Sequence, residues 1–251
     1  MTIYAAPRLL PCGDRAVSVE LGDEISREVN ARVLALEYLI RQKALPGVTE
    51  TVPSFRALLV YYDPFVVGYE ALGAALLALA AQARPEVLPP PRTVELPCCY
   101  GGELGFDLDA VADRLGLVAD EVVRLHAGAE YHVEFVGFTP GLPYMSGMPE
   151  PLFIPRLETP RVKTPPGSVS IGGMQCCIYS VESPGGFWVL GRTPVRLYDP
   201  TVPDPILLRA GDHVCLRPID RAEFDAITAA VATGAYQPPI AQPPDEGEGT
   251  P

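Results

Sequence analysis

Residues 134–200 read EFVGFTPGLPYMSGMPEPLFIPRLETPRVKTPPGSVSIGGMQCCIYSVESPGGFWVLGRTPVRLYDP. From Glu134 to Pro205 there are 13 prolines and nine glycines in 72 residues, a density that no helical packing tolerates, because proline removes a backbone donor and breaks helix interiors. Short β-branched or aromatic runs lie between the turn residues: His132 to Val136, Ser168 to Ile171, Cys177 to Val181, Phe187 to Leu190, Val195 to Tyr198 and His213 to Leu216. Many short strands separated by turns predict an all-β barrel or sandwich. A final helix is expected where Asp220-x-x-Glu223 has capping-box spacing ahead of Phe224, Ile227 and Val231.

Outward from that stretch the pattern changes. Val17, Val19 and Leu21 alternate with polar neighbours as a half-buried strand does, and Ile25, Val29, Val33, Leu36 and Ile40 recur at helical spacing with Asp23 placed to cap. Phe55 to Tyr62 reads as a second strand and Ala71 to Ala83 as a second helix. The order β-α-β-α predicts a small α+β domain over residues 1–84. Pro85, Pro89, Pro90 and Pro91 mark 85–92 as a stiff proline-rich linker. Residues 93–236 are then the β domain, opened by two short helical patterns (Leu108, Val111, Leu115 and Val122, Leu125), and the proline- and acid-rich 237–251 is expected to be a disordered tail.

Nineteen basic and 31 acidic residues give a net charge of −12. Nucleic-acid binding needs a basic footprint, and attachment to an anionic membrane needs the same, so neither partner is expected. The first fifteen residues have no apolar signal-peptide core, and the longest apolar stretch, Ala71 to Ala81, is too short to span a bilayer. Six cysteines (Cys12, Cys98, Cys99, Cys176, Cys177, Cys215) lack C-x-x-C spacing and read as reduced thiols of a cytoplasmic protein. No P-loop, dinucleotide fingerprint, nucleophile elbow or zinc-binding H-E-x-x-H occurs, and three histidines are too few for a histidine-rich metal cluster. The residues that remain as candidates are loop residues. They are the rigid Gly137 to Tyr144 loop, the Ser183-Pro184-Gly185-Gly186 turn, Gly191-Arg192-Thr193-Pro194, and the cations Arg161 and Lys163, which suit a carboxylate or phosphate.

The same words carry a resemblance. Gly137-Phe138-x-Pro140-Gly141-x-Pro143-Tyr144, Pro155-Arg156-x-x-x-Pro160-Arg161, Pro165-x-Gly167-Ser168-Val169, Gly173-x-Gln175, Ile178-Tyr179, Ser183-Pro184-Gly185-Gly186 and Gly191-Arg192-Thr193-Pro194 closely resemble the family that contains the kinase inhibitor KipI, allophanate hydrolase subunit 1 and the B subunit of 5-oxoprolinase. The resemblance implies a small N-terminal α+β domain followed by a C-terminal cyclophilin-like β-barrel. It implies a second cyclophilin-like subunit of the KipA type (the C component of 5-oxoprolinase), and a third subunit in bacterial 5-oxoprolinase. That complex opens 5-oxo-L-proline to L-glutamate and uses ATP with Mg, bound at the level of the complex. Inhibition of a sensor histidine kinase, or a part in urea or allophanate metabolism, are the other activities it implies. By the same resemblance Phe138, Pro140, Gly141, Tyr144, Arg161, Ser168, Gln175, Tyr179, Arg192 and Thr193 line the binding face. Arg161 or Arg192 would be anion contacts, Gln175 an amide or carbonyl contact, and Tyr144 a wall. Two departures from the family pattern are Cys176-Cys177, where relatives carry Thr-Gly, and Phe187-Trp188, where tryptophan comes one place earlier. In a strand that shift sends Trp188 to the opposite face.

Overall fold

A computed structural model describes residues 3–241, which divide between Pro90 and Pro91 into two compact units. In the first unit β1 (Ile3–Pro11), β2 (Ala16–Gly22), α1 (Arg27–Lys43), β3 (Val48–Pro53), β4 (Ala57–Tyr62) and α2 (Tyr69–Ala80) follow in order. The four strands form one antiparallel sheet in the order β1-β2-β4-β3. Val17, Val19 and Leu21 of β2 and Leu58, Val60 and Tyr62 of β4 point to one face, where they pack on Val29, Val33, Leu36 and Ile40 of α1 and on Leu72, Leu76 and Leu79 of α2. The expected β-α-β-α order is thus the inner half of the sheet. The edge strands β1 and β3 escape a periodicity reading because most of their residues are half-buried or exposed on both faces. The cap of α1 is Ser26, whose Oγ accepts from Val29 N at 3.2 Å, rather than Asp23. Within the expected linker, Pro85–Val87 forms a 3-10 turn instead of extended polyproline, and Val87 and Leu88 pack on the first unit's core.

The second unit contains β5 (Thr93–Tyr100), α3 (Leu108–Leu115), α4 (Ala119–Ala127), β6 (Glu130–Val136), β7 (Pro143–Ser146), β8 (Arg161–Thr164), β9 (Ser168–Gly172), β10 (Gln175–Ile178), β11 (Ser183–Gly185), β12 (Trp188–Arg192), β13 (His213–Ile219), α5 (Arg221–Ala232) and β14 (Ile240–Ala241). Strands β12-β9-β10-β7-β6-β13-β5 are hydrogen-bonded in that order, and β5 pairs back to β12, so seven strands close into a barrel. The mixed α+β architecture with a C-terminal barrel is the one expected. Period-2 alternation fills the interior. Val94, Leu96 and Cys98 of β5, Val169 and Ile171 of β9, Cys176 and Ile178 of β10, and Trp188 and Leu190 of β12 all join one core with Val111 and Val122 of the helices. Val195 to Tyr198 forms no strand; Tyr198 makes only an isolated bridge to Ile206. At the start of the segment expected to be disordered, Ile240 and Ala241 pair with Val94 and Thr93 of β5, and Glu95 N donates to Pro239 O at 3.0 Å. That pairing covers β5 where β12 does not reach it. The remainder of the expected tail, 242–251, lies outside the described residues.

Inside the barrel His126 is fully buried, with Nδ1 2.9 Å from the Tyr100 hydroxyl and Nε2 3.5 Å from Cys176 Sγ. Burial pushes its pKa down from 6.5 to about 3. The unfolded chain therefore takes up a proton near pH 6.5 that the folded chain refuses until about pH 3. Stability is full above pH 6.5 and falls as the pH drops, by about 1 kcal/mol per pH unit. Urea unfolding at pH 6.5 and pH 5 is expected to show this slope, and His126→Leu is expected to flatten it. An unchanged slope in the variant would assign the acid sensitivity to other groups. All six cysteines are free thiols, with Cys98, Cys176 and Cys177 fully buried and their pKa values raised by burial, so none of these three is a thiolate.

Candidate functional site on the outer face of the barrel

The residues that alternate with the core form the outer face. Register sets Phe135 beside Tyr144, Tyr144 beside Cys177, Cys177 beside Ser170, and Ser168 beside Arg192. A bulge between Val189 and Gly191 of β12 brings Arg192 into that last pairing. Leu142, Cys177, Tyr179 and Phe187 make a separate small apolar cluster here, with Tyr144 against it. Phe135 and Tyr144 stack at 4.6 Å with their planes 17° apart. The one-residue shift noted in the sequence has the expected consequence. Trp188 joins the barrel core and donates through Nε1 to Pro155 O at 2.8 Å, while Phe187 lies in the outer cluster.

A two-stranded ribbon, β8 with β11, runs beside this face. Its approach depends on Gly185, because a Cβ there would come within 1.9 Å of the Tyr179 hydroxyl. Burial pushes the Tyr179 phenol up to about 12, so it is a neutral donor and not a base near neutral pH. The turn before β9 is similarly specific. Gly167 has φ +80°, and a Cβ on it would meet Thr193 O at 2.4 Å. Its N–H donates to Tyr179 O, and its own carbonyl accepts from Thr193 N, so three site segments are stitched together.

The predicted residues separate into groups. Arg192 is half-buried; its Nε has no hydrogen-bond partner, and no carboxylate pairs with it among the described residues. Burial lowers its pKa, and the positive charge of Arg221 lowers it further. Beside it the fully buried Ser168 Oγ is also without a partner. A desolvated cation next to an unsatisfied hydroxyl fits an oxyanion, whether a carboxylate or one phosphoryl group. Arg161 is different. The resemblance implies an anion contact, but its Nη2 donates to buried Asp107 Oδ1 at 2.5 Å and its Nη1 to Phe187 O at 3.2 Å, with Phe106 under the guanidinium at 5.0 Å. The other Asp107 oxygen accepts from Val189 N at 2.7 Å. Arg161 therefore has its counter-ion inside the protein and ties the ribbon to the barrel. Thr193 turns its hydroxyl back to accept from Val195 N at 3.3 Å.

The 137–143 loop is fastened to the residue after Tyr179. Ser180 Oγ donates to Pro140 O at 2.5 Å and lies 3.3 Å from Thr139 Oγ1. Gly141 is buried against Leu197 and Tyr198, whereas Phe138 sits at φ +66° and is 65% exposed. A bulky residue held in the left-handed region with its ring in solvent is strained, as residues at binding sites often are. Gln175 is half-buried, and its Oε1 accepts from Arg156 Nη2 at 3.3 Å. Arg156 was not among the site residues expected from the sequence, although it lies in the Pro155-to-Arg161 motif. Glu134 on β6 is a buried carboxylate that accepts from Ser146 Oγ, and nothing in its sequence context marks it. Among the described residues no group of three His, Cys, Asp or Glu could hold a metal, and no helix is long and apolar enough to cross a membrane.

Residues 7–208 match the family described as carboxyltransferase domain, subdomain C and D. The chain belongs to that family. Within this carboxyltransferase-domain family, the chain is 36% identical over 224 residues to the B subunit of 5-oxoprolinase from Bacillus subtilis, covering 85% of this chain and 93% of that one. It is 26% identical to Saccharomyces cerevisiae urea amidolyase over 258 residues, covering 90% of this chain but only 14% of that protein. Of solved structures, the crystal structure of TTHA0988 superposes with a TM-score of 0.75 at 37% identity, covering 82% of this chain and 40% of that one.

Proposed function

We propose that this chain is the B subunit of an ATP-dependent 5-oxoprolinase, which opens 5-oxo-L-proline to L-glutamate together with a second cyclophilin-like subunit of the KipA type and a third subunit. The observation that carries the reading is the match to the Bacillus subtilis protein over 85% of this chain and 93% of that one. The match to urea amidolyase takes in a small part of a much longer protein.

The chemistry of the outer face agrees with the reading. A lactam is unreactive at neutral pH until its oxygen is activated. In the proposed reaction, transfer of a phosphoryl group from ATP to the amide oxygen supplies that activation. Water then adds to the carbon, the C–N bond opens as the nitrogen takes a proton, and a second water displaces phosphate from the resulting acyl phosphate to leave the carboxylate. Such a site must neutralise developing oxyanion charge in a place shielded from water. Arg192 and Ser168 have the unsatisfied donors for that task. ATP with Mg belongs, in this reading, to the assembled complex. Reduced thiols agree with a cytoplasmic setting.

The test is reconstitution. The chain mixed with its two partner subunits, ATP, Mg and 5-oxo-L-proline is expected to release glutamate in proportion to the ADP formed. Release of ammonia from urea or allophanate, with no glutamate from 5-oxoproline, would transfer the chain to urea metabolism.

A further inference from the structure

We propose that Arg156, rather than Arg161, receives the carboxylate of the small cyclic amide; the inference rests on the lactam reading above. Three observations place it there. The first is availability. Arg92, Arg161 and Arg217 each face a carboxylate at 3.1 Å or less. Arg156 is exposed, and no carboxylate pairs with it among the described residues. Its one side-chain hydrogen bond is the long 3.3 Å contact to Gln175 Oε1.

The second is pre-organisation. The guanidinium lies over the Phe187 ring, 4.6 Å from its centroid, which restrains it while leaving its Nη1 and Nε hydrogens to meet an anion. Phe187 is fixed in turn, because Arg161 holds its carbonyl. Gly172 makes room for the stack: a Cβ there would lie 2.9 Å from Phe187 Cδ1 and 3.1 Å from Arg156 Cγ. The third is company. Gln175 keeps its amide N–H₂ for a carbonyl while its oxygen faces Arg156, and the positive charge of Arg156 reaches both Tyr144 and Cys177. Guanidinium, primary amide and the flat Phe135–Tyr144 stack together match a small ring that bears a carbonyl and a carboxylate.

Calorimetric titration of the assembled complex with 5-oxo-L-proline and with 2-pyrrolidinone, the same ring without the carboxylate, tests this. Arg156→Gln is expected to weaken 5-oxoproline binding at least about tenfold and Arg156→Lys less, with 2-pyrrolidinone binding unchanged in both. Equal affinity of wild type and Arg156→Gln for 5-oxoproline overturns the proposal. So does equal weakening for both ligands, or no 5-oxoproline binding by wild type. Glutamate release in the same samples separates the two claims. Turnover that is indifferent to Arg156 leaves the lactam reading standing and removes this one. Arg156-dependent binding without turnover does the reverse.

Discussion

Arg161→Ala is expected to destabilise the barrel unit by about 3 kcal/mol, because removing one partner of a buried pair strands the other's charge. Asp107 is 6% exposed, and the alanine would leave Oδ1 without its donor while Oδ2 stays on Val189 N. The same change frees the Phe187 carbonyl and uncovers the Phe106 ring. The loss should appear as a lower urea midpoint at unchanged slope. Asp107→Asn in the Arg161→Ala background should restore part of it, since the stranded charge is gone. A catalytic anion contact behaves otherwise. If Arg161→Ala left the midpoint in place and removed only activity, the ion pair with Asp107 would carry no structural weight.

The barrel was legible because its strands bury one face and turn on proline and glycine. Val169 and Ile171 enter the core and alternate with Ser168 and Ser170, as period 2 requires. What was hidden has a physical cause in each case. Strands β1 and β3 are sheet edges with little burial contrast. Strand β14 is two residues long and exposed, and only pairing to β5 defines it. Candidate site residues could be named from the sequence, but their surroundings could not. Arg161 and Arg192 look alike in sequence, and a distant aspartate, Asp107, is what separates a tied cation from an untied one. Arg156 shared a motif with Arg161, yet its stack on Phe187 spans 31 positions of sequence and exists only in the fold.

Arg192 bears most directly on whether the outer barrel face holds the reacting amide. Its guanidinium is partly desolvated and has no counter-ion among the described residues, so its replacement removes a burden from the folded chain rather than a support. If its donors serve a developing oxyanion, their loss should instead fall on kcat. The decisive measurement is glutamate release by the reconstituted complex with wild-type chain and with Arg192→Gln, alongside the melting temperature and subunit assembly of each. An oxyanion role predicts a kcat lower by about 100-fold or more, with melting temperature unchanged or raised and assembly intact. Undiminished turnover by Arg192→Gln would contradict it.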